Sequence, residues 1–245
     1  MTIGKVDEVV EIELVNYFIK GNIALTKVDE DYPDNKLSGA VFEVYSDTNG
    51  DGKLDKDDTL LGEMKELDGG VYQMSELRYD KYLVKETKAP TGFVLDEDVY
   101  AVSIEENGKT YTVENKAGVG FINAAQKGSL KIVKTSSDGK VEGFSFRVTG
   151  VDYDQTFKTD KNGEIVIEGL RIGDYTVSEV SDKASAGYIL PADKQATVKV
   201  NATAIVQMHN EFRDTPKTGD DFNLGLWVTL RRCLLSVRAS RICRL

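Results

Sequence analysis

The chain has 245 residues, with 31 basic and 41 acidic side chains and a net charge of −10. That excess of carboxylates repels phosphate backbones and anionic bilayers, which argues against nucleic-acid binding and membrane-surface docking and favours divalent cations. Hydrophobic residues make up 40% of the chain, enough for one or two packed domains rather than a disordered segment.

Residues 1–20 begin MTIGKVDEVVEIELV. This stretch alternates like a strand and has neither the basic start nor the apolar run of a secretory leader. It closes in EIELVNYFIK, where Ile12 and Leu14 share a face with Asn16. The expectation is that residues 1–20 are the last strand of a preceding domain and that the sequence is truncated at its N-terminus.

Short alternating runs then follow: GNIALTKV, AVFEVYSD, KYLVKET and YAVSIEE, then GSLKIVKT, FSFRVTGV, GEIVIEGL, DYTVSEV and ATVKVNATAIVQMHN. Gly, Asp and Asn separate them, and no amphipathic helix of ordinary length precedes residue 220. The pattern predicts an all-β protein, an immunoglobulin-like β-sandwich or a Greek-key barrel. It also repeats. GNIALTKVD, KLSGAVFEVY, YDKYLVKETKAPTGF and VGFIN recur in the same order as GSLKIVKTS, KVEGFSFRVT, IGDYTVSEVSDKASAGY and VQMHN. This predicts tandem domains over residues 21–125 and 126–212, with 213–245 as a tail.

Strand parity isolates three polar residues in each copy. Ile23 and Leu25 share a face with Lys27, Tyr82 and Val84 with Glu86, and Val119 and Phe121 with Asn123. In the second copy Leu130 and Ile132 go with Lys134, Tyr175 and Val177 with Glu179, and Val206 and Met208 with Asn210. Burying an unpaired ammonium or carboxylate costs several kcal/mol. One resolution removes the charges. A desolvated lysine is favoured as the neutral, nucleophilic amine, and a buried glutamic acid can hydrogen-bond the Asn carbonyl and shuttle protons. Attack on the amide carbon then expels ammonia and leaves a Lys–Asn amide, with proximity in the core supplying the rate. The plainer alternative places each lysine at a strand end, reaching for water.

These segments resemble the prealbumin-like, Cna B-type (SpaA-like) domains of Gram-positive surface adhesins and pilins. The carrying motifs are TKVD at Lys27, YLVKETKAPTGF at Glu86 and GFIN at Asn123, then VKTS at Lys134, YTVSE at Glu179 and MHN at Asn210. The second copy departs after its Glu, where VSDKASAGY lacks the Pro of ETKAPTGF. The resemblance implies a Lys on the first strand, an Asn on the last and a Glu that catalyses the isopeptide bond between them. It implies a cell-wall-anchored surface stalk, adhesin or pilin segment, with sortase, peptidoglycan and neighbouring pilin subunits as partners. A crosslink of this kind also accounts for a β-rich body without disulfides, since Cys233 and Cys243 are the only cysteines. Closing loops of this length contributes about 4–5 kcal/mol on the chain-entropy model.

Residues 47–58 read DTNGDGKLDKDD. Asp47, Asn49 and Asp51 stand at positions 1, 3 and 5 of a calcium loop, Gly52 at the turn, Lys53 at the carbonyl position, and Asp55 and Asp58 at positions 9 and 12. Strands flank it where an EF-hand has helices, so it resembles a dockerin-type loop and predicts bound Ca2+. The alternative is an acidic hairpin with no specific ligand.

In the tail, Thr215, Pro216, Lys217, Thr218 and Gly219 resemble the sortase motif LPxTG, with Thr replacing Leu. LGLWVTL opens an apolar span, but Arg231 and Arg232 interrupt it, so the anchoring signal reads as damaged. Asn201-Ala202-Thr203 fits a glycosylation acceptor. With His209 as the single histidine, neither a zinc site nor a Ser-His-Asp arrangement is readable. The only activity expected is autocatalytic. The competing functional class is an adhesive module for a host protein or carbohydrate ligand, whose recognition would lie in loops.

Overall fold

The structure is a computed structural model and describes residues 12–213. The first domain contains β1 (Lys20–Asp29), β2 (Val41–Ser46), β3 (Thr59–Glu63), β4 (Lys65–Asp68), β5 (Val71–Arg78), β6 (Asp80–Lys88), β7 (Val99–Ile104), β8 (Thr110–Thr112) and β9 (Phe121–Asn123). The second contains β10 (Lys127–Ser136), β11 (Ser145–Gly150), β12 (Tyr153–Lys158), β13 (Glu164–Arg171), β14 (Gly173–Glu179), β15 (Tyr188–Ile189), β16 (Lys194–Val198) and β17 (Thr203–Phe212). Among the described residues there is no helix, and so none long and apolar enough to cross a membrane.

Each domain has two sheets. In the first, one sheet has the order β4-β5-β1-β8 with β9 also on β1, and the other has the order β3-β2-β6-β7. In the second domain the orders are β13-β10-β17-β15 and β12-β11-β14-β16. The first and last strands are thus neighbours within one sheet of each domain, and the strand carrying the Glu belongs to the other sheet.

Period-2 patterning builds the cores. β1 buries Gly21, Ile23, Leu25 and Lys27 in alternation, and β10 does the same with Gly128, Leu130, Ile132 and Lys134. In the first domain the rings of Phe42 and Tyr72, Phe42 and Phe121, and Tyr100 and Phe121 meet edge-on at centroid distances of 5.0–5.1 Å. Such pairs contribute about 0.5–1.5 kcal/mol each beyond area burial. Tyr82 and Tyr175 occupy equivalent places: each is buried and donates its hydroxyl to a carbonyl four residues back, Arg78 at 2.8 Å and Arg171 at 2.9 Å.

The last strand differs between the domains. In the first it is split. β8 pairs parallel with β1 from Asn22↔Thr110 to Ala24↔Thr112, and β9 pairs parallel from Lys27↔Phe121 to Asp29↔Asn123. Between them the chain leaves the sheet through a turn and returns at Gly120 (φ 134°), where a Cβ would sit 2.8 Å from the Thr26 carbonyl oxygen. Only glycine fits so close an approach. In the second domain β17 is continuous. The Ser129 amide donates to Ala202 and the Ser137 amide to Asn210, so partners advance together and β17 runs parallel to β10.

Three expectations differ in detail. Residues 12–19 form no strand and their apolar side chains are exposed, Leu14 and Tyr17 at 87% each, while residues 1–11 of the expected remnant strand lie outside the described residues; a lone strand has no ladder to satisfy its backbone. Val119 lies in the turn before β9 and is half-buried rather than on a strand face. The run ATVKVNATAIVQMHN is two strands, broken at Asn201 (φ 51°), a conformation that Asn tolerates better than most side chains.

Candidate functional site

Parity brings the three first-copy residues together. Lys27 (0% exposed), Glu86 (0%) and Asn123 (3%) meet in the core. Lys27 and Asn123 come from adjacent strands of one sheet, and Glu86 faces them from the other. The Lys27 amine donates to Asn123 Oδ1 and lies 3.2 Å from Glu86 Oε1. The Asn123 amide nitrogen donates to both Glu86 oxygens at 3.0 Å. The rings of Phe121 and Phe42 lie 4.5 Å and 5.8 Å from the amine.

Burial in this apolar cage pushes the Lys27 amine down to about 8, although the Glu86 carboxylate beside it pulls the other way. Burial therefore makes the neutral, nucleophilic form of this amine far more accessible than that of an exposed lysine. A neutral amine, an amide carbonyl and a carboxyl group within hydrogen-bond reach are the components of an acyl transfer.

The second site gathers the same residue types with looser contacts. Lys134 is 1% exposed and Asn210 0%. Asn210 donates to Glu179 Oε1 at 2.6 Å. The Lys134 amine instead donates to the carbonyl of its neighbour Thr135, 4.3 Å from the Phe144 ring. Glu179 Oε2 and Asn210 Oδ1 are buried with no hydrogen-bond partner. Burial lowers the basicity of Lys134 and raises the pKa of the Glu179 carboxyl, so both shifts favour neutral forms.

The acidic loop, residues 47–58, spans the hairpin between the paired residues Ser46 and Thr59. Its side chains fold back on its own backbone. Asp47 accepts the amides of Gly50 and Gly52, Asn49 that of Asp51, and Asp51 that of Lys53. Asp58 accepts from Thr48 and Asp55, and the Asn49 amide donates to Asp55. Gly52 takes the left-handed turn its position requires (φ 76°). Among the described residues no group of three or more Asp, Glu, His or Cys side chains gathers as a metal centre would need.

His209 is exposed and lies 2.8 Å from the Thr135 hydroxyl. Thr215 to Gly219 lie outside the described residues. Sequence reasoning missed Asp96 and Asn115. The Asp96 amide donates to Glu86 Oε2 at 2.9 Å, and Asn115 donates to the Asp96 carboxylate at 2.7 Å.

Comparison with known proteins fits this architecture. No curated protein matches the chain. Among solved structures, it is similar to the Bacillus anthracis TIE protein, with 25% identity and a TM-score of 0.59 over 80% of this chain and 34% of that one. The chain thus spans about a third of that protein's length. Two pilins match at lower similarity. The minor pilin GBS52 of Streptococcus agalactiae gives 16% identity and a TM-score of 0.36 over 82% of this chain and 99% of that one. The shaft pilin SpaA of Lactobacillus rhamnosus GG gives 14% and 0.35 over 79% and 98%. A family model for the SpaA prealbumin-like fold domain matches residues 21–117 and again 128–212. With both repeats matched in tandem, the chain belongs to the SpaA prealbumin-like fold domain family.

Proposed function

We propose that this chain is a segment of a Gram-positive surface stalk, a pilin or adhesin, whose two domains are closed by self-formed bonds from Lys27 to Asn123 and from Lys134 to Asn210. The observation that carries the reading is the sealed Lys27–Asn123–Glu86 cluster. A buried ion pair with no further purpose is weak evidence of stabilisation, since desolvation offsets its attraction; a reaction that joins the Lys27 amine and the Asn123 carboxamide as a neutral amide removes the ammonium's share of that cost.

The step balances. The neutral Lys27 amine attacks Asn123 Cγ, and Glu86 takes up the proton the amine sheds. Glu86 then returns that proton to the departing carboxamide nitrogen. The Cγ–Nδ2 bond breaks, ammonia leaves, and Lys Nζ–Cγ is the new amide. Glu179 serves Lys134 and Asn210 in the same way.

The test is intact-mass measurement of the folded chain, which is expected to show the loss of two molecules of ammonia. Glu86→Ala and Glu179→Ala should each abolish one loss. A folded chain at its full, unmodified mass would remove the proposal. The remaining elements fit a surface location. Asp47, Asn49, Asp51, Asp55 and Asp58, with the Lys53 carbonyl, have the spacing of a Ca2+ loop; to hold the ion their oxygens would have to turn from the backbone amides they now accept, and the ion would then stiffen the hairpin. Thr215–Gly219 would be read by a sortase for transfer to peptidoglycan or a pilin subunit.

A further inference from the structure

We propose that Asp96 and Asn115 are positioning residues that preassemble the first site. The inference rests on the bond-forming reading above. Asp96 acts at two levels. Its backbone N–H fixes Glu86 Oε2, and its carboxylate Oδ2 accepts from Asn115 at 2.7 Å and from the Tyr100 hydroxyl at 2.8 Å. Asn115 then grips the strand that carries the electrophile. Its Oδ1 accepts the Ile122 amide at 2.6 Å, and its Nδ2 donates to the Ile122 carbonyl at 2.9 Å. That two-point contact imitates a neighbouring strand, and Ile122 directly precedes Asn123. Tyr100 completes the path by packing on Phe121 at 5.0 Å, whose ring faces the Lys27 amine. One carboxylate thus connects catalyst, electrophile strand and nucleophile cage.

The need for it follows from the split last strand. β9 is three residues long and detached from β8, so its position is set by a short ladder on β1 and by whatever else holds it. Proximity effects are steep: a misplacement of about 1 Å can cost about a hundredfold in rate. The second domain supplies the comparison. Its last strand is continuous, and no group fills the role of the Asp96 amide, since Glu179 Oε2 is buried without a partner. The chain after Glu179 is also where the two copies diverge in sequence. The first bond is therefore expected to form faster than the second.

The experiment follows bond formation in the full chain during cell-free synthesis. Samples are quenched with acid at intervals and digested, and the Lys27–Asn123 and Lys134–Asn210 crosslinked peptides are quantified separately. Asn115→Ala and Asp96→Ala are expected to slow the first crosslink about tenfold or more, equivalent to about 1.4 kcal/mol, and to leave the second unchanged. Asp96→Ala and Asp96→Asn both keep the backbone N–H, but Asp96→Asn also keeps an oxygen acceptor for Asn115 and Tyr100, so it should restore most of the rate. Its pH–rate profile should move to lower pH, because the Asp96 charge helps to keep Lys27 protonated. Loss of stability alone would not move that profile. Tyr100→Phe keeps the ring on Phe121 and removes one hydrogen bond, so it guards against variants that do not fold; it should slow the first crosslink modestly. Wild-type rates in Asn115→Ala and Asp96→Ala would overturn the positioning role while leaving bond formation intact. Absence of either crosslink in the wild type would overturn both readings.

Discussion

Asn123→Ala leaves Lys27 and Glu86 in the core but removes the atom that Lys27 would bond. In that variant Lys27 stays a titrating amine, held at about 8 against an ordinary 10.5. The folded pKa lies below the unfolded one, so between these values the unfolded chain binds more protons and stability rises with pH. Below about pH 8 both states hold the proton and the folded domain carries the full penalty. Above about 10.5 neither does, and the penalty is gone. The shift corresponds to roughly 3 kcal/mol at 1.36 kcal/mol per unit. In a wild type carrying the proposed bond the nitrogen would be an amide and would not titrate. Wild type should therefore exceed the variant by the closure contribution of about 4–5 kcal/mol plus this penalty near pH 7.5, and the gap should narrow by roughly 3 kcal/mol by pH 10.5. Urea unfolding followed by circular dichroism, fitted as two transitions for two domains, measures the gap. Other alkaline titrations are common to both proteins and cancel in the difference. A gap that stays flat from pH 7.5 to 10.5 would refute the argument, because it would mean that both proteins carry the same form of Lys27.

Two further outcomes concern the loop and the tail. Calorimetric titration with calcium should show one site, lost in Asp47→Ala, whose carboxylate organises the Gly50 and Gly52 amides; no heat with millimolar calcium would leave an acidic hairpin and nothing more. A peptide spanning Arg213 to Phe222 should be cleaved by a sortase after Thr218. The whole tail fused to a secreted reporter should nevertheless release it to the medium, because Arg231 and Arg232 each cost about 2.5–3.5 kcal/mol inside a membrane span. Replacing residues 230–245 by an apolar stretch with a basic end should restore attachment, and efficient anchoring by the native tail would contradict this account.

Parity made much of the site legible. A two-residue period needs only alternation, and the apolar neighbours of Lys27, Glu86, Lys134 and Asn210 in their strands supply it. Side-chain torsions are not encoded that way, so the turn of the Lys134 amine toward Thr135 could not be read. Nor could the break between β16 and β17, because Val200 keeps the alternation going although it is 44% exposed. Asn115 was hidden for a different reason. It lies outside the strands, and its importance comes from a side chain acting as backbone, which leaves no periodic trace. Asp96 offered one clue, the loop after Glu86 that the second copy does not share.

The parallel pairing of first and last strands determines how each domain meets a pull along the chain. Residue 20 stands at one end of β1, and residue 123 lies beside its other end. A stretching force therefore slides the strands lengthwise and loads their hydrogen bonds together instead of peeling them one at a time. In the second domain that load spreads along the ten residues of β17. In the first it falls on the three residues of β9, a ladder too short to bear much. Lys27 and Asn123 sit at that weak point. With the bond in place, force passes from Lys20 along β1 to Lys27 and out through Asn123, and everything between residues 28 and 122 is bypassed. The first domain would thus gain far more mechanical strength from the proposed crosslink than the second, and under a force ramp a crosslink-free chain should open at the first domain first.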